Sequence, residues 1–459
     1  MSPYHIILPW VIEDYGRKGE KIYMDKEQNY LDPERMMRYA VFSIRNSLEN
    51  GISYRRSFIV LKNGYGMIVR FTRLEDYAGI YSGRTYKPLQ ADPEPKLHFI
   101  CGMLNYVIVE NGKRLGVKHV FDITKSMLEE YFNSYAMTEK PEGGYHKEST
   151  VVTCIADVTA FMANLSRKFG GFVKVTRDEL YVEKTIRLHT GKLEVRHIPD
   201  FQATGIFEEN DGPFRDMPSR VMEILIPMAK KYAPDIAFGI ALQAFAGLRA
   251  GEVCNVRQEG SKYGPGLRFV EVGGQVRRVE IDLTREYKLR SDDSDTGNIK
   301  KHRKQGAYPD FIKVFMEMYE FHKAYLKSAD YEEEFAPMFV NANGLAMSYE
   351  TYRRKFKALI NDHLRPWLIN STDPEFRLYG QMLYENNLGT HAMRHWFTVQ
   401  LVLRGEDIAN IQFWRGDKSP DSAFHYLQNK GDLVRELQIT ADRLISALLD
   451  IGGDTDDDE

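Results

Sequence analysis

Two arginines, a histidine and a tyrosine are the residues of this 459-residue chain best suited to chemistry. Arg249 lies in Ala246-Gly247-Leu248-Arg249-Ala250-Gly251-Glu252, and His391 and Arg394 lie in His391-Ala392-Met393-Arg394-His395. Tyr426 ends the stretch Trp414-Arg415-Gly416-Asp417-Lys418-Ser419-Pro420-Asp421-Ser422-Ala423-Phe424-His425-Tyr426. The planar fork of an arginine can bind two non-bridging oxygens of a phosphodiester and stays charged at any working pH. A tyrosine hydroxyl can attack such a phosphate and hold it covalently. Brought together by folding, the four make a phosphate clamp with a built-in nucleophile, suited to cutting and rejoining DNA.

Each piece also has a plainer reading. Glu252, three residues after Arg249, can pair with and orient it, although the same spacing is common on ordinary helix surfaces. His391 and Arg394 are about one helical turn apart and so share a face. His391 and His395, four apart, would suit a zinc helix, but the metalloprotease motif needs a glutamate where Ala392 stands. No metal or cofactor is therefore expected, and His395 reads as a structural hydrogen-bonding residue. Tyr426 is one of 27 tyrosines and is singled out by its distance from the His391 and Arg394 pair.

A chain of this length exceeds one hydrophobic core, so two or three domains are expected. Hydrophobic residues at 43% and charged residues at 28% describe a soluble globular protein. No apolar run approaches the roughly 20 residues of a membrane span. The N-terminus lacks the pattern of a signal peptide, so a cytoplasmic location is expected. Cys101, Cys154 and Cys254 are far apart with no CxxC spacing, which excludes a zinc knuckle or disulfide framework and makes them buried apolar fillers. A net charge of -3 is low for a nucleic-acid binder. Yet residues 261–304 hold eleven Lys and Arg against seven Asp and Glu, while five of the last six residues are acidic.

The elements that must position these groups are legible in outline. Residues 1–95 read as a small α/β domain, with Asn63-Gly64 as the turn of a hairpin between Ser57 and Phe71. A proline-rich linker at 87–96 follows. Helical periodicity then marks 97–110, 123–135 and 148–169, with Asp122-Ile123-Thr124 offering an N-cap. The stretch 171–215 reads as a linker with strand-like pieces, ending at Asn210-Asp211-Gly212-Pro213. From 216 onward, helices are expected at 218–232, 235–245, 308–329, 349–364, 391–403 and 407–414. A hairpin is expected from 267–272 and 275–283 around Gly273-Gly274. A final amphipathic helix spans 432–449.

In order and spacing, these motifs resemble the catalytic domain of the tyrosine recombinase (phage integrase) family. The resemblance covers about 180 residues, and the helical 96–170 region is similar to that family's core-binding domain. The implied fold is mainly α with small β-sheets. It comprises a small N-terminal α/β domain (1–95, an arm-type DNA-binding or assembly module), a helical, SAM-like core-binding domain (96–170), a linker (171–215) and the catalytic domain (216–459) with its C-terminal helix and acidic tail. The family pattern makes Tyr426 the nucleophile and Arg249, His391 and Arg394 the phosphate-binding groups. It also makes a lysine ahead of the basic stretch Asn298 to Pro309 the general acid. Counting back from Pro309 favours Lys301, with Lys300 as rival, and places Arg303 and Lys304 along the DNA backbone.

One position departs from the family: Asp417 stands where a His or Trp donates a hydrogen bond to the phosphate. A carboxylate has no proton to donate and repels a phosphate. Either Asp417 is turned away or protonated, or Lys418, Arg415 or Trp414 takes the role. The resemblance implies double-stranded recombination sites as partner, a homo-tetramer on DNA assembled through the C-terminal helix, and accessory DNA-bending or directionality proteins. A catalytically impaired DNA-binding regulator on the same fold and a type IB topoisomerase-like strand transferase are the alternatives.

Overall fold

The computed structural model describes residues 36–79, 94–140, 143–187, 193–205, 217–292, 294–328 and 334–417. The linker residues up to Pro93, the Asn210–Pro213 boundary, Lys418, Tyr426, the 432–449 helix and the acidic tail lie outside the described residues. The chain divides into two compact units at Asn210, with the short segment Asn46–Ser53 belonging to the second.

The first unit contains a three-stranded sheet in the order β1 (Arg38–Ser47), β2 (Ser53–Lys62), β3 (Ile68–Phe71). The expected Asn63-Gly64 hairpin is present, with Val60 opposite Phe71 in antiparallel register. Asn63 Oδ1 accepts the Met67 N–H at 3.0 Å, the kind of side-chain bond that suits asparagine to turns. Three longer helices follow: α1 (Glu94–Leu104, continued by a π-helical stretch Asn105–Glu110), α2 (Lys125–Met137) and α3 (Glu148–Phe169). Their apolar stripes share one core, in which Val158, Phe161 and Leu165 of α3 join Leu97 and Ile100 of α1 and Leu128 and Phe132 of α2. The helix α3 is long and apolar enough to cross a membrane, and half of that stretch is buried inside its own unit. A hairpin of β4 (Tyr181–Arg187) and β5 (Leu193–Pro199) follows, with Tyr181 opposite Pro199.

The second unit is built around α5 (Pro234–Ala246), preceded by α4 (Ser219–Tyr232). Every residue of α5 from Asp235 onward is buried, as expected for a helix apolar on all sides. Pro234 at its first turn costs no hydrogen bond there. The Phe238 ring meets Phe315 at 5.2 Å and Tyr319 at 5.5 Å, both on α6 (Ile312–Lys327). A sheet of β6 (Leu267–Val272), β7 (Gln275–Leu283) and β8 (Arg303–Gly306) lies between α5 and α6 in sequence. The remaining helices are α7 (Tyr349–Ala358, prolonged through Ile369), α8 (Pro374–Glu385), α9 (His391–Leu403) and α10 (Ile408–Arg415).

Neither α8 nor β8 was named in the sequence reading. The helix α8 carries a start signal, because Asp373 Oδ1 caps the Glu375 N–H at 2.9 Å and Pro374 follows it. By contrast Arg-Lys-Gln-Gly has little β propensity of its own, and β8 exists because β7 supplies its hydrogen-bonding partner. The three cysteines are buried and unpaired, and burial pushes the Cys101 and Cys154 thiols up to about 12.

Candidate active site

Arg249 is placed by a helix end. Gly247 terminates α5 in the left-handed region at φ 66°, a conformation that favours glycine. A Cβ there would also lie 2.7 Å from the Phe397 ring. Arg249 is extended, and one helical turn, Ala250–Val253, begins immediately after it. The fully buried Glu252 reaches back from that turn: its Oε2 accepts the Arg249 N–H at 3.0 Å, and its Oε1 accepts from Arg249 Nη1 at 3.2 Å.

The same carboxylate is gripped from a third direction. Arg303 Nη1 and Nη2 donate to Glu252 Oε1 and Oε2 at 2.9 and 3.0 Å, a fork-on-fork pair. Side chains alternate along a strand, so β8 turns Arg303 and the buried Gln305 inward while Lys304 stands out and pairs with Glu280 at 2.8 Å. Arg303, expected along the DNA backbone, is instead part of the buried frame beneath Arg249, with its side chain 9% exposed. Burial by itself would push the Glu252 carboxyl up, but the Arg303 pair and then Arg249 outweigh it and hold it below the ordinary range.

Arg394 enters from α9. It is buried, its Nη1 donates to the Gly247 carbonyl and its Nη2 donates to Asp417 Oδ1 at 2.6 Å. Arg249 Nη2 donates to the same Oδ1 at 2.7 Å. Asp417 Oδ2 lies 2.7 Å from Arg415 Nε, and Arg415 Nη1 donates to Thr398 Oγ1 of α9 at 2.7 Å. The Asp417 carbonyl accepts from Lys301 Nζ at 2.8 Å. Asp417 is therefore buried and turned into the clamp, the reverse of the turned-away arrangement considered from sequence. Burial, followed by the neighbouring Arg249 and Arg415 guanidinium groups, pushes Arg394 down to about 9, against the opposing pull of Asp417 and Glu252.

The loop bearing Asp417 is fixed by α10. Asp407 Oδ1 caps the Asn410 N–H at 2.8 Å, and Gly416 ends the helix at φ 62°. A Cβ on Gly416 would lie on the Arg303 guanidinium. The Trp414 ring packs edge-on against Tyr308 at 5.2 Å, and its carbonyl accepts from Gln305 Nε2. These contacts tie α10 to β8.

The structure thus brings together Arg249, Glu252, Lys301, Arg303, Arg394, Trp414 and Asp417 from four stretches of chain. His391 is exposed at the first turn of α9, and His395 is half-buried one turn further on. Lys300 is exposed, whereas Lys301 reaches the clamp. Lys418 and Tyr426 lie outside the described residues. Sequence reasoning gave no part to Gln305, Thr398 or the Gly247 carbonyl, and no local pattern marks them because each acts through a distant partner. Among the described residues, four guanidinium groups and one ammonium surround two buried carboxylates, leaving an excess of three positive charges. Such a cluster suits an anion of more than one charge or a charged polymer backbone.

No family model and no curated protein matches the chain. Solved structures do. The Tn1549 transposon integrase in complex with a circular intermediate DNA is similar at 15% identity and a TM-score of 0.45, over 73% of this chain and 87% of that one. The XerH site-specific recombinase bound to its difH substrate is similar at 14% and 0.42, over 72% and 74%. A lambda integrase dimer bound to a core site is similar at 13% and 0.37, over 77% and 93%. Each of these three structures is of a recombinase or an integrase.

Proposed function

We propose that this chain is a site-specific tyrosine recombinase of the integrase kind, acting in the cytoplasm on double-stranded DNA to integrate or excise a mobile element. The observation that carries this reading is the convergence of Arg249, Arg394 and Lys301 on one anionic residue, Asp417, within a cluster of net positive charge. Tyr426, nine positions after Asp417, attacks the scissile phosphorus in line and forms a 3′-phosphotyrosyl bond as the 5′-oxygen leaves. Covalent storage conserves the phosphodiester, so rejoining needs no ATP. Arg249 and Arg394 offset charge on the non-bridging oxygens. Lys301 protonates the departing 5′-oxygen. His391 donates to the phosphate or accepts the phenolic proton.

Glu252 and Arg303 hold Arg249 in place rather than touch DNA, and Lys304 remains the backbone contact of β8. The helical part of the first unit supplies the core-site contacts, and the 432–449 segment, expected from its sequence to be an amphipathic helix, links protomers into a tetramer. The test is trapping with nicked suicide duplexes: wild type yields a denaturation-resistant adduct and Tyr426→Phe does not. An adduct with the phenylalanine variant would remove Tyr426 from the role.

A second reading, a DNA-binding regulator with weak catalysis, is favoured by Asp417 itself, whose carboxylate lies among the phosphate-binding groups. Duplexes that bind tightly without ever forming an adduct would establish it instead.

A further inference from the structure

Asp417 engages three guanidinium groups. Its Oδ1 accepts from Arg249 and Arg394 at 2.7 and 2.6 Å, and its Oδ2 lies 2.7 Å from Arg415. Its carbonyl takes the ammonium of Lys301. Arg249 and Arg394, assigned above to the phosphodiester oxygens, and Lys301, assigned to the leaving oxygen, are therefore held by one residue. A carboxylate bridging convergent arginines presents the same charged oxygens to the same forks as a phosphate does. The two anions cannot share the space, because like charges at this distance repel strongly in a buried site.

We propose that the Asp417 carboxylate is an internal anion occupying the phosphodiester slot of the DNA-free protein, and that Arg415 is a third phosphate-binding guanidinium exposed when Asp417 withdraws. This rests on the reading of the clamp as a phosphodiester site. Arg415 stays behind because Thr398 of α9, one turn from Arg394, holds its Nη1. Asp417 can leave because it follows Gly416, a residue already in the left-handed region at the end of α10. A slot with three guanidinium groups and one carboxylate carries the same net charge as one with two guanidinium groups and a neutral donor. The plug and the third arginine thus offset one another until the plug departs.

The test compares wild type, Asp417→Asn and the double variant Asp417→Asn with Arg415→Gln. The readouts are the melting temperature against inorganic phosphate and the affinity for an unnicked site duplex. The amide keeps the shape but lacks the charge. It should melt lower without phosphate, gain more from phosphate than wild type does, and bind the duplex about tenfold more tightly, since a competing closed state lowers apparent affinity by its population. The double variant should lose most of that gain. An amide variant that binds phosphate and duplex no more tightly than wild type overturns the proposal.

Should the amide variant not fold, stopped-flow association of the wild type decides. If Asp417 must leave first, the observed rate levels off as duplex concentration rises; a linear dependence overturns the plug. The two readings fail separately. A phosphate gain with no suicide-substrate adduct keeps the plug and rejects the recombinase, whereas an adduct with no phosphate gain does the opposite.

Discussion

Arg303 and Glu252, separated by 51 residues in the chain, meet fork to fork in a buried pair, with Nη1 2.9 Å from Oε1 and Nη2 3.0 Å from Oε2. The same carboxylate accepts the backbone N–H and the guanidinium of Arg249. One buried acid therefore joins β8 to the turn that presents Arg249, proposed above to bind the phosphate.

Glu252→Gln should destabilise the protein by about 3–5 kcal/mol, because it leaves Arg303 as a buried charge without its counter-ion. Denaturant unfolding measures the loss. Since the Glu252 carboxyl is held below its ordinary value of 4.5 in the folded state, its contribution is whole above that pH and fades as pH falls through the depressed value. The gap between wild type and Glu252→Gln should accordingly shrink below about pH 4.5. A gap that stays constant to lower pH would show that the acid is not a charged partner.

Arg394→Lys should fold but cleave slowly. The guanidinium donates through Nη1 to the Gly247 carbonyl and through Nη2 to Asp417, two directions that one ammonium cannot reproduce. Loss of one donor of this type costs about 10²–10³ in rate. Single-turnover cleavage of a suicide duplex at saturating protein reports it, and a rate within a few-fold of wild type would remove Arg394 from the transition state.

Lys301→Ala should be nearly inactive on an ordinary duplex and recover on one whose leaving 5′-oxygen is replaced by sulfur. A thiolate leaves without protonation, so a missing general acid matters little. Lys300→Ala should behave as wild type on both substrates. Equal defects on oxygen and sulfur would make Lys301 a phosphate ligand instead.

Gly416→Ala should cost about 1–3 kcal/mol from the backbone alone, given its φ of 62°. It should also displace Arg303, against whose guanidinium the new Cβ would lie. Calorimetry gives the first effect. The second predicts that combining Gly416→Ala with Glu252→Gln costs less than the two separate losses added together, because both act on Arg303.

Local signals carried much of the architecture. The bounds of α3, α9, β6 and β7 were readable because helical periodicity and a Gly273-Gly274 turn are properties of neighbouring residues. The same holds for the nomination of Arg249, His391 and Arg394, which rests on residue type and order along the chain; of the three, Arg249 and Arg394 meet at Asp417. β8 was not readable, because its four residues become a strand only by pairing with β7, with Leu283 opposite Arg303. Once that register is set, alternation sends Arg303 in and Lys304 out. Both had looked like equivalent members of one basic run.

Asp417 marks the limit most clearly. In sequence it is a charge where the resemblance expects a His or Trp, and the sequence leaves open whether it is turned away, is protonated or yields the role to a neighbour. Only folding brings Arg249 and Asp417, 168 residues apart, to 2.7 Å. Residue types and short spacings determine which groups are available for chemistry, because side-chain charge and helical phase are local. The counter-charge each group meets is decided by tertiary packing, because the Coulomb energy of a buried group depends on distances in space that chain separation does not encode.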